Sequence, residues 1–399
     1  MTNPCILYIW DADYPWDVRT EKLCGALARH GFQVAIAARN RARRQSVETL
    51  AEGVVYRLPP VTWLPASVDS ATSIPAFINP RWIQHLNRTA EVTRPDLVVV
   101  RDLPLCPVAI RLGRRIGKPV MLDMAENYPA MIADIWKSGR QKPFDFIVRN
   151  PRAVARVEHY CLSRLDAILV VIEESRDRLV RLGVEPERIT LVSNTPPRAR
   201  AEGGKRERPL RDSLTVVALG MMELTRGVGE VIDAAAILRG SMPGLKVWLI
   251  GAGRDLGLLE ARARTQGLLD GTVELLGYIP NQRALELVAE ADIGIVPHHA
   301  DEGWDTTIPN KLFDYMAAGL AVVTSDAVPA ARVVRETRAG TVFRSMDAQD
   351  CARAILDLAE PATRCAAGAA GREAIRSRYY LEADIERLIG AVDRTLVRN

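Results

Sequence analysis

Short apolar runs alternate with longer amphipathic stretches along most of this chain, the pattern of strand–helix–strand units on a parallel sheet. Cys5–Trp10 predicts a first strand, Val18–His30 a helix closed by Gly31, and Gln33–Ala37 a second strand. Leu97–Val100 and Pro119–Leu122 predict strands on either side of a helix at Leu105–Arg115. A helix at Ala153–Ser163 then leads to a strand at Ala167–Val171. The alternation restarts with strands at Leu214–Leu219, Leu245–Ile250, Val273–Leu276, Ile293–Val296 and Ala321–Thr324. Helices at Val228–Leu238, Leu256–Thr265, Arg283–Ala289 and Lys311–Ala318 fall between them, and Gln349–Val397 reads as mostly helical.

Between the two series, residues 195–212 read TPPRARAEGGKRERPLRD, rich in Pro, Gly and charge with little to bury. The expected architecture is therefore α/β, with two Rossmann-like domains. Residues 1–197 form the first, 198–212 a linker, 213–375 the second, and 376–399 a last helix able to pack back on the first domain. Residues 55–90 are Pro-rich and irregular in pattern, which favours a functional loop there.

Composition narrows the class. With 399 residues, 48% hydrophobic and 26% charged, the chain is long enough for two or three domains and is neither disordered, collagen-like nor coiled coil. A formal net charge of +4 is too small to imply nucleic acid by itself. Six cysteines without a CxxC pair argue against a zinc site or a disulfide framework and fit a reducing cytosol. Ile6–Trp10 lacks a basic lead-in and is followed by Asp11, Asp13 and Asp17, so it reads as a buried strand and not a signal peptide. No run reaches the roughly 18 apolar residues of a membrane span. Peripheral attachment stays open.

Parallel α/β sheets bind ligands at the carboxyl ends of their strands. After Leu219, Gly220 marks a tight turn and Arg226 precedes the next helix, a combination suited to an anion. Gly251 and Gly253 follow the strand KVWLI, and Tyr278-Ile279 follow another where backbone groups could meet a planar base. Each of these reads almost as well as a plain turn. The strongest segment is IVPHHADEGWDTTIPNKLFDYMAAGLAVVTSD, residues 295–326. A polar loop with Thr306 and Thr307 leads through Pro309-Asn310 to a helix carrying Lys311 and Asp314 in its first turns. Lysine at a helix N-terminus suits phosphate, and a nearby carboxylate can accept from two adjacent hydroxyls, as a nucleotide ribose presents. His298-His299 is a poor metal pair, since neighbours on a strand face opposite ways.

The order G-x5-RG, GAG, LLGYI and PNKLFDYMAAGLAVVTSD resembles the donor-binding half of retaining glycosyltransferases with the GT-B fold, in the branch of family 4. VSN at residues 192–194 and DMAEN at residues 123–127 agree in the first half. The resemblance implies two Rossmann-like domains facing a central cleft, and transfer of a sugar from a nucleoside-diphosphate sugar with retention of configuration. It implies that Asp314 holds the ribose, while Thr306, Thr307, Pro309, Asn310, Lys311 and Leu312 line the donor and Arg226 with Lys311 meets the pyrophosphate. No metal or other cofactor is implied.

The sequence departs from the family pattern at several places, with Arg226 where the family has Lys and DYPWDVR where its first loop is Gly-rich. Thr306 stands where the family has Glu against the sugar, Met221 where it has Arg, and Ala125 where it has His. In the first domain the resemblance implies Arg19 toward the donor and Asp17 toward the acceptor, with Glu126 and Asp123 orienting the acceptor or relaying a proton. The implied acceptor is a saccharide or lipid-linked saccharide in surface polysaccharide or glycoconjugate synthesis, and no nucleic acid. UDP, GDP and dTDP donors all stay open. Basic runs at 39–44 and 149–156, with Trp63 and Trp82, suit either a solvated face or docking of a cytoplasmic protein on an anionic membrane. A nucleotide-sugar epimerase on the same fold and a non-catalytic subunit are the alternatives.

Overall fold

The computed structural model describes residues 3–15, 17–137, 139, 145–202 and 213–397. The chain forms two units, residues 1–193 with 384–399, and residues 194–383. Of the expected linker, residues 203–212 lie outside the described residues.

The first unit is built on an eight-stranded sheet. Its strands are β1 (Cys5–Asp13), β2 (Gln33–Arg39), β3 (Val47–Leu50), β4 (Gly53–Arg57), β5 (Leu97–Arg101), β6 (Val120–Met124), β7 (Ala167–Val170) and β8 (Ile189–Leu191), in the order β3-β4-β2-β1-β5-β6-β7-β8. All pairings are parallel except the β3–β4 hairpin. Alternate residues of β1 enter opposite cores, Leu7 and Ile9 on one face, Ile6 and Tyr8 on the other. A strand covered on both faces has to be apolar at every position, which is why CILYI is an unbroken apolar run. The helix Leu381–Val397 places Leu388, Ala391 and Val392 in this unit's core. Asp384, fully buried, accepts hydrogen bonds from the Ser193 N–H at 3.0 Å and from Arg387 at 2.5 Å.

The second unit carries β9 (Thr215–Leu219), β10 (Lys246–Ile250), β11 (Val273–Gly277), β12 (Ile293–Val296), β13 (Ala321–Ser325) and β14 (Gly340–Phe343). They form one parallel sheet in the order β11-β10-β9-β12-β13-β14. The strand order reverses direction between β9 and β12, leaving a crevice at their carboxyl ends.

Residues 55–90 are not the long irregular loop expected. They contain the end of β4, the helices Ala66–Ala71 and Pro80–Thr93, and a short 3-10 turn at Ala76–Ile78. Asn79 caps the longer helix by accepting from the Arg81 N–H at 3.0 Å, and Pro80 occupies its first position. Trp82 on that helix is fully buried in the core and so is no part of a surface patch, whereas Trp63 is 81% exposed. Arg39, first of the basic run, is buried and held by Asp11 at 2.7 Å.

Candidate functional site

The crevice of the second unit is lined by the loops after β9 and β12. Gly227 has φ +71 at the start of the helix Val228–Leu238, and a Cβ there would collide with the Pro297 carbonyl oxygen. Only glycine allows both the left-handed backbone and that approach, which seats the Arg226 loop directly on the loop that follows β12. Arg226 Nη1 consequently lies 3.5 Å from His298 Nε2, and its guanidinium 5.1 Å from the centre of the Trp304 ring. The Trp304 ring packs against His298 at a tilt of 52°, with ring centres 3.9 Å apart.

Lys311 enters from the first turn of the helix Asn310–Ala318, and its Nζ lies 2.8 Å from where a Cβ on Gly220 would be. The bare glycine is what leaves room for the ammonium. Desolvation and the charge of Arg226 lower Lys311 to about 7. Burial, Lys311, Arg226 and His299 together push His298 well below the usual histidine range. Among the described residues no carboxylate pairs with Lys311. A lysine with no carboxylate partner among the described residues, next to the charge of Arg226, is suited to an anionic ligand.

Asp314 lies one turn beyond Lys311 on the same helix face and meets Arg200 at 3.0 Å. Thr306 and Thr307 are both buried, and the Thr306 hydroxyl donates to the Glu302 carbonyl at 2.9 Å. Pro309 is half-buried, Asn310 exposed and Leu312 fully buried beneath the helix. Gly251 and Gly253 pack against the backbone of Gly220 and Met222, so they shape the loop after β9. Tyr278 is 80% exposed at the end of β11, with Ile279 half-buried beside it. Gly220, Arg226, Lys311 and Asp314 thus share one end of the sheet.

The expected residues of the first unit sit around the end of β6 and the start of the first helix. Arg19 and Asp123 are both buried and form a two-pronged ion pair, with Arg19 Nε 2.9 Å and Nη2 2.5 Å from Asp123 Oδ1. The Tyr8 hydroxyl donates to Asp123 at 2.6 Å. Desolvation opposes ionisation of Asp123, but Arg19, Arg101 and the Tyr8 hydrogen bond outweigh it and hold the carboxyl below its usual range. Arg19 is therefore committed to the core of its own unit by Asp123 and by the Val192 carbonyl at 3.0 Å. Asp17 is the N-cap of the helix Val18–Arg29, accepting from the Thr20 N–H at 2.7 Å and pairing with Arg101. Glu126 is exposed, next to the end of β6.

Three residues of these sites escaped sequence reasoning. Asp102, just past β5, has φ +57, is buried, and accepts from the N–H groups of Ala125 at 2.9 Å and Glu126 at 3.1 Å. It thereby shapes the loop that carries Glu126. Its signal was an acid ending an apolar strand, the same one Asp123 gives. Arg200 sat in a stretch read as linker, with no signal. Trp304 was visible only as an aromatic in a polar loop.

Comparisons with known proteins follow this division. Residues 213–361 match the family described as "Glycosyl transferases group 1" and residues 17–195 the "Glycosyl transferase 4-like domain". The amylovoran biosynthesis glycosyltransferase AmsK of Erwinia amylovora is 28% identical over 186 residues, 46% of this chain and 42% of that one. Glycogen synthase of Mycobacterium tuberculosis is 25% identical over 295 residues, 73% of this chain and 66% of its own length. The chain thus matches less than two thirds of either relative. Among solved structures, sucrose-phosphate synthase from Thermosynechococcus elongatus superposes with a TM-score of 0.76 at 19% identity, covering 99% of this chain and 100% of that one. HepE from Anabaena, solved with UDP, gives 0.69 at 14% identity over 98% and 99% of the two chains. These two likenesses are of fold.

Proposed function

Because this chain belongs to the GT-B glycosyltransferases of the family 4-like type, we propose that it moves a sugar, with retention of configuration and without a metal, from a nucleoside-diphosphate sugar to a saccharide or lipid-linked saccharide. The observation that carries this reading is the pocket of Arg226 and Lys311 at the β9–β12 crevice, with Asp314 one helical turn away. Two cations in a partly buried site stabilise the charge that develops on a leaving diphosphate, in place of a metal ion. Asp314, released from Arg200, would accept from the ribose hydroxyls. In this reading the leaving phosphate oxygen takes the acceptor's proton on the face where the new bond forms. The protein then supplies position and charge, and Glu126, exposed beside β6, orients the acceptor.

A relative named for amylovoran biosynthesis supports a polymer or glycoconjugate as product. Exposed Arg41, Arg43 and Arg44 lie beside Trp63-Leu64, since Arg43 donates to the Leu64 carbonyl at 2.5 Å. That basic and aromatic turn is suited to an anionic bilayer carrying a lipid-linked acceptor. Among the described residues no helix is long and apolar enough to cross a membrane.

Thermal melting in the presence of UDP, GDP, dTDP, CDP or ADP, with and without EDTA, tests the donor site. Stabilisation by one diphosphate that survives EDTA is expected and identifies the base. A well-folded protein that responds to none of them at millimolar concentration would overturn the proposal.

A further inference from the structure

We propose that His298 is a third phosphate-binding group of this pocket, and that the pocket completes its positive charge only as a diphosphate enters, Lys311 drawing one proton from solvent. The proposal rests on the donor-site reading above and deepens it. It starts from the tautomer of His298. The Arg226 guanidinium can only donate, so the His298 Nε2 that faces it at 3.5 Å is the accepting nitrogen. The ring proton of a neutral His298 therefore sits on Nδ1, which is buried with no hydrogen-bond partner. The ring and its backbone are each held. Trp304 packs against it at a tilt of 52°, and the backbone that carries it is held by the Ser325 hydroxyl, which donates to the His298 carbonyl oxygen. A buried, unpartnered N–H on a ring whose other nitrogen faces Arg226, in the field of Arg226 and Lys311, is matched by a phosphate oxygen.

Charge explains the proton. Arg226 carries its charge at any ordinary pH and is 3.9 Å from Glu223, which also faces Arg254 at 3.5 Å. His299 is tied to Glu230 at 3.2 Å. These carboxylates offset the outer charges, whereas Lys311 has none beside it among the described residues and meets Arg226 and the backbone of Gly220 instead. Desolvation and Arg226 leave Lys311 near 7, so at neutral pH the empty pocket holds it about half protonated. An incoming diphosphate brings the missing negative charge. The Nζ lone pair then binds a proton taken from the buffer, and the ammonium faces the phosphate.

Titration calorimetry with the diphosphate found by melting, UDP or GDP, tests this in EDTA between pH 7 and 9 in two buffers of different ionisation enthalpy. The terminal phosphate of the nucleotide still carries about a tenth of a proton or more at pH 7, so its own release, titrated separately, is subtracted from the uptake. Uptake of about half a proton at pH 7 and nearly one at pH 8 is expected, with affinity falling by up to about tenfold per pH unit above pH 7. Lys311→Arg should bind with no proton uptake. His298→Phe, which keeps a ring against Trp304, should weaken binding by about tenfold or more at each pH. His298→Asn, whose amide N–H can stand near Nδ1, should recover most of the loss. Wild-type binding without proton exchange, or His298→Phe binding as wild type, would overturn the proposal. Absence of binding by every nucleotide to a folded wild type would instead overturn the donor site itself.

Discussion

Burial raises the Asp102 carboxyl to about 7, although Arg101 lies 3.6 Å away and lowers it, because Glu126 and Asp123 add negative charge on the other side. An acid raised from 3.8 to about 7 on folding stabilises the folded state fully below pH 3.8, and that contribution is lost as pH rises to 7. Asp102→Asn keeps an oxygen to accept from Ala125 and Glu126 but does not ionise. Its stability relative to wild type should therefore climb between pH 4 and 7, by about 3 kcal/mol, in urea titrations at each pH. A constant difference would mean that the carboxylate is solvated. At the other site, Asp314→Ala should weaken binding of the preferred nucleoside diphosphate by about tenfold, the effect of losing about 1.4 kcal/mol of hydrogen bonding to a charged group. Calorimetry reads this directly. A nucleoside diphosphate that binds the variant as tightly as wild type would leave Asp314 only its pairing with Arg200.

The helix Asn310–Ala318 and the loop before the helix Val228–Leu238 do their work as a pair. Lys311 arrives from the first and Arg226 from the second, and Gly227 sets the distance between them by resting on the Pro297 carbonyl. Gly227→Ala puts a Cβ into that oxygen and strains a backbone with φ +71. It should cost roughly 2–4 kcal/mol in urea unfolding and reduce nucleotide binding in the molecules that remain folded. Gly240, exposed at a helix end with nothing near its added Cβ, is the control, and Gly240→Ala should change neither quantity.

At the scale of the whole molecule, the final helix belongs to a unit whose other residues end at 193. Its Leu388, Ala391 and Val392 are buried in that unit's core, and Asp384 accepts from the Ser193 N–H. Burial of those three side chains contributes roughly 5 kcal/mol, before the buried hydrogen bonds are counted. A chain ending at residue 383 should therefore lose stability in its first unit selectively. Hydrogen exchange would show protection falling in β1 and β2 and staying unchanged in β9 and β12. Equal loss in both sheets would mean that the helix acts on the whole chain.

The apolar runs of β1, β5, β9 and β12 could be read as strands because a parallel sheet covered on both faces demands continuous hydrophobicity, and sequence records that directly. The PNKLFD segment was equally plain as a helix start that carries a lysine and a carboxylate in its first turns. The hairpin β3–β4 and the short strands β8 and β14 were missed, because three to five residues at a sheet margin carry too little periodicity.

Sequence alone thus determined the fold class and the parallel strands at the heart of both sheets, which depend on residues close together in the chain. Partnership was decided only by tertiary structure. Arg19 and Asp123 are 104 positions apart yet form one buried pair, Arg200 meets Asp314 across 114, and Arg226 meets His298 across 72. Charge state follows partnership, because it depends on how much water and which charges surround a group once the chain has folded. That is why Lys311 and Asp102, both ordinary in the sequence, end near neutrality in their pKa values.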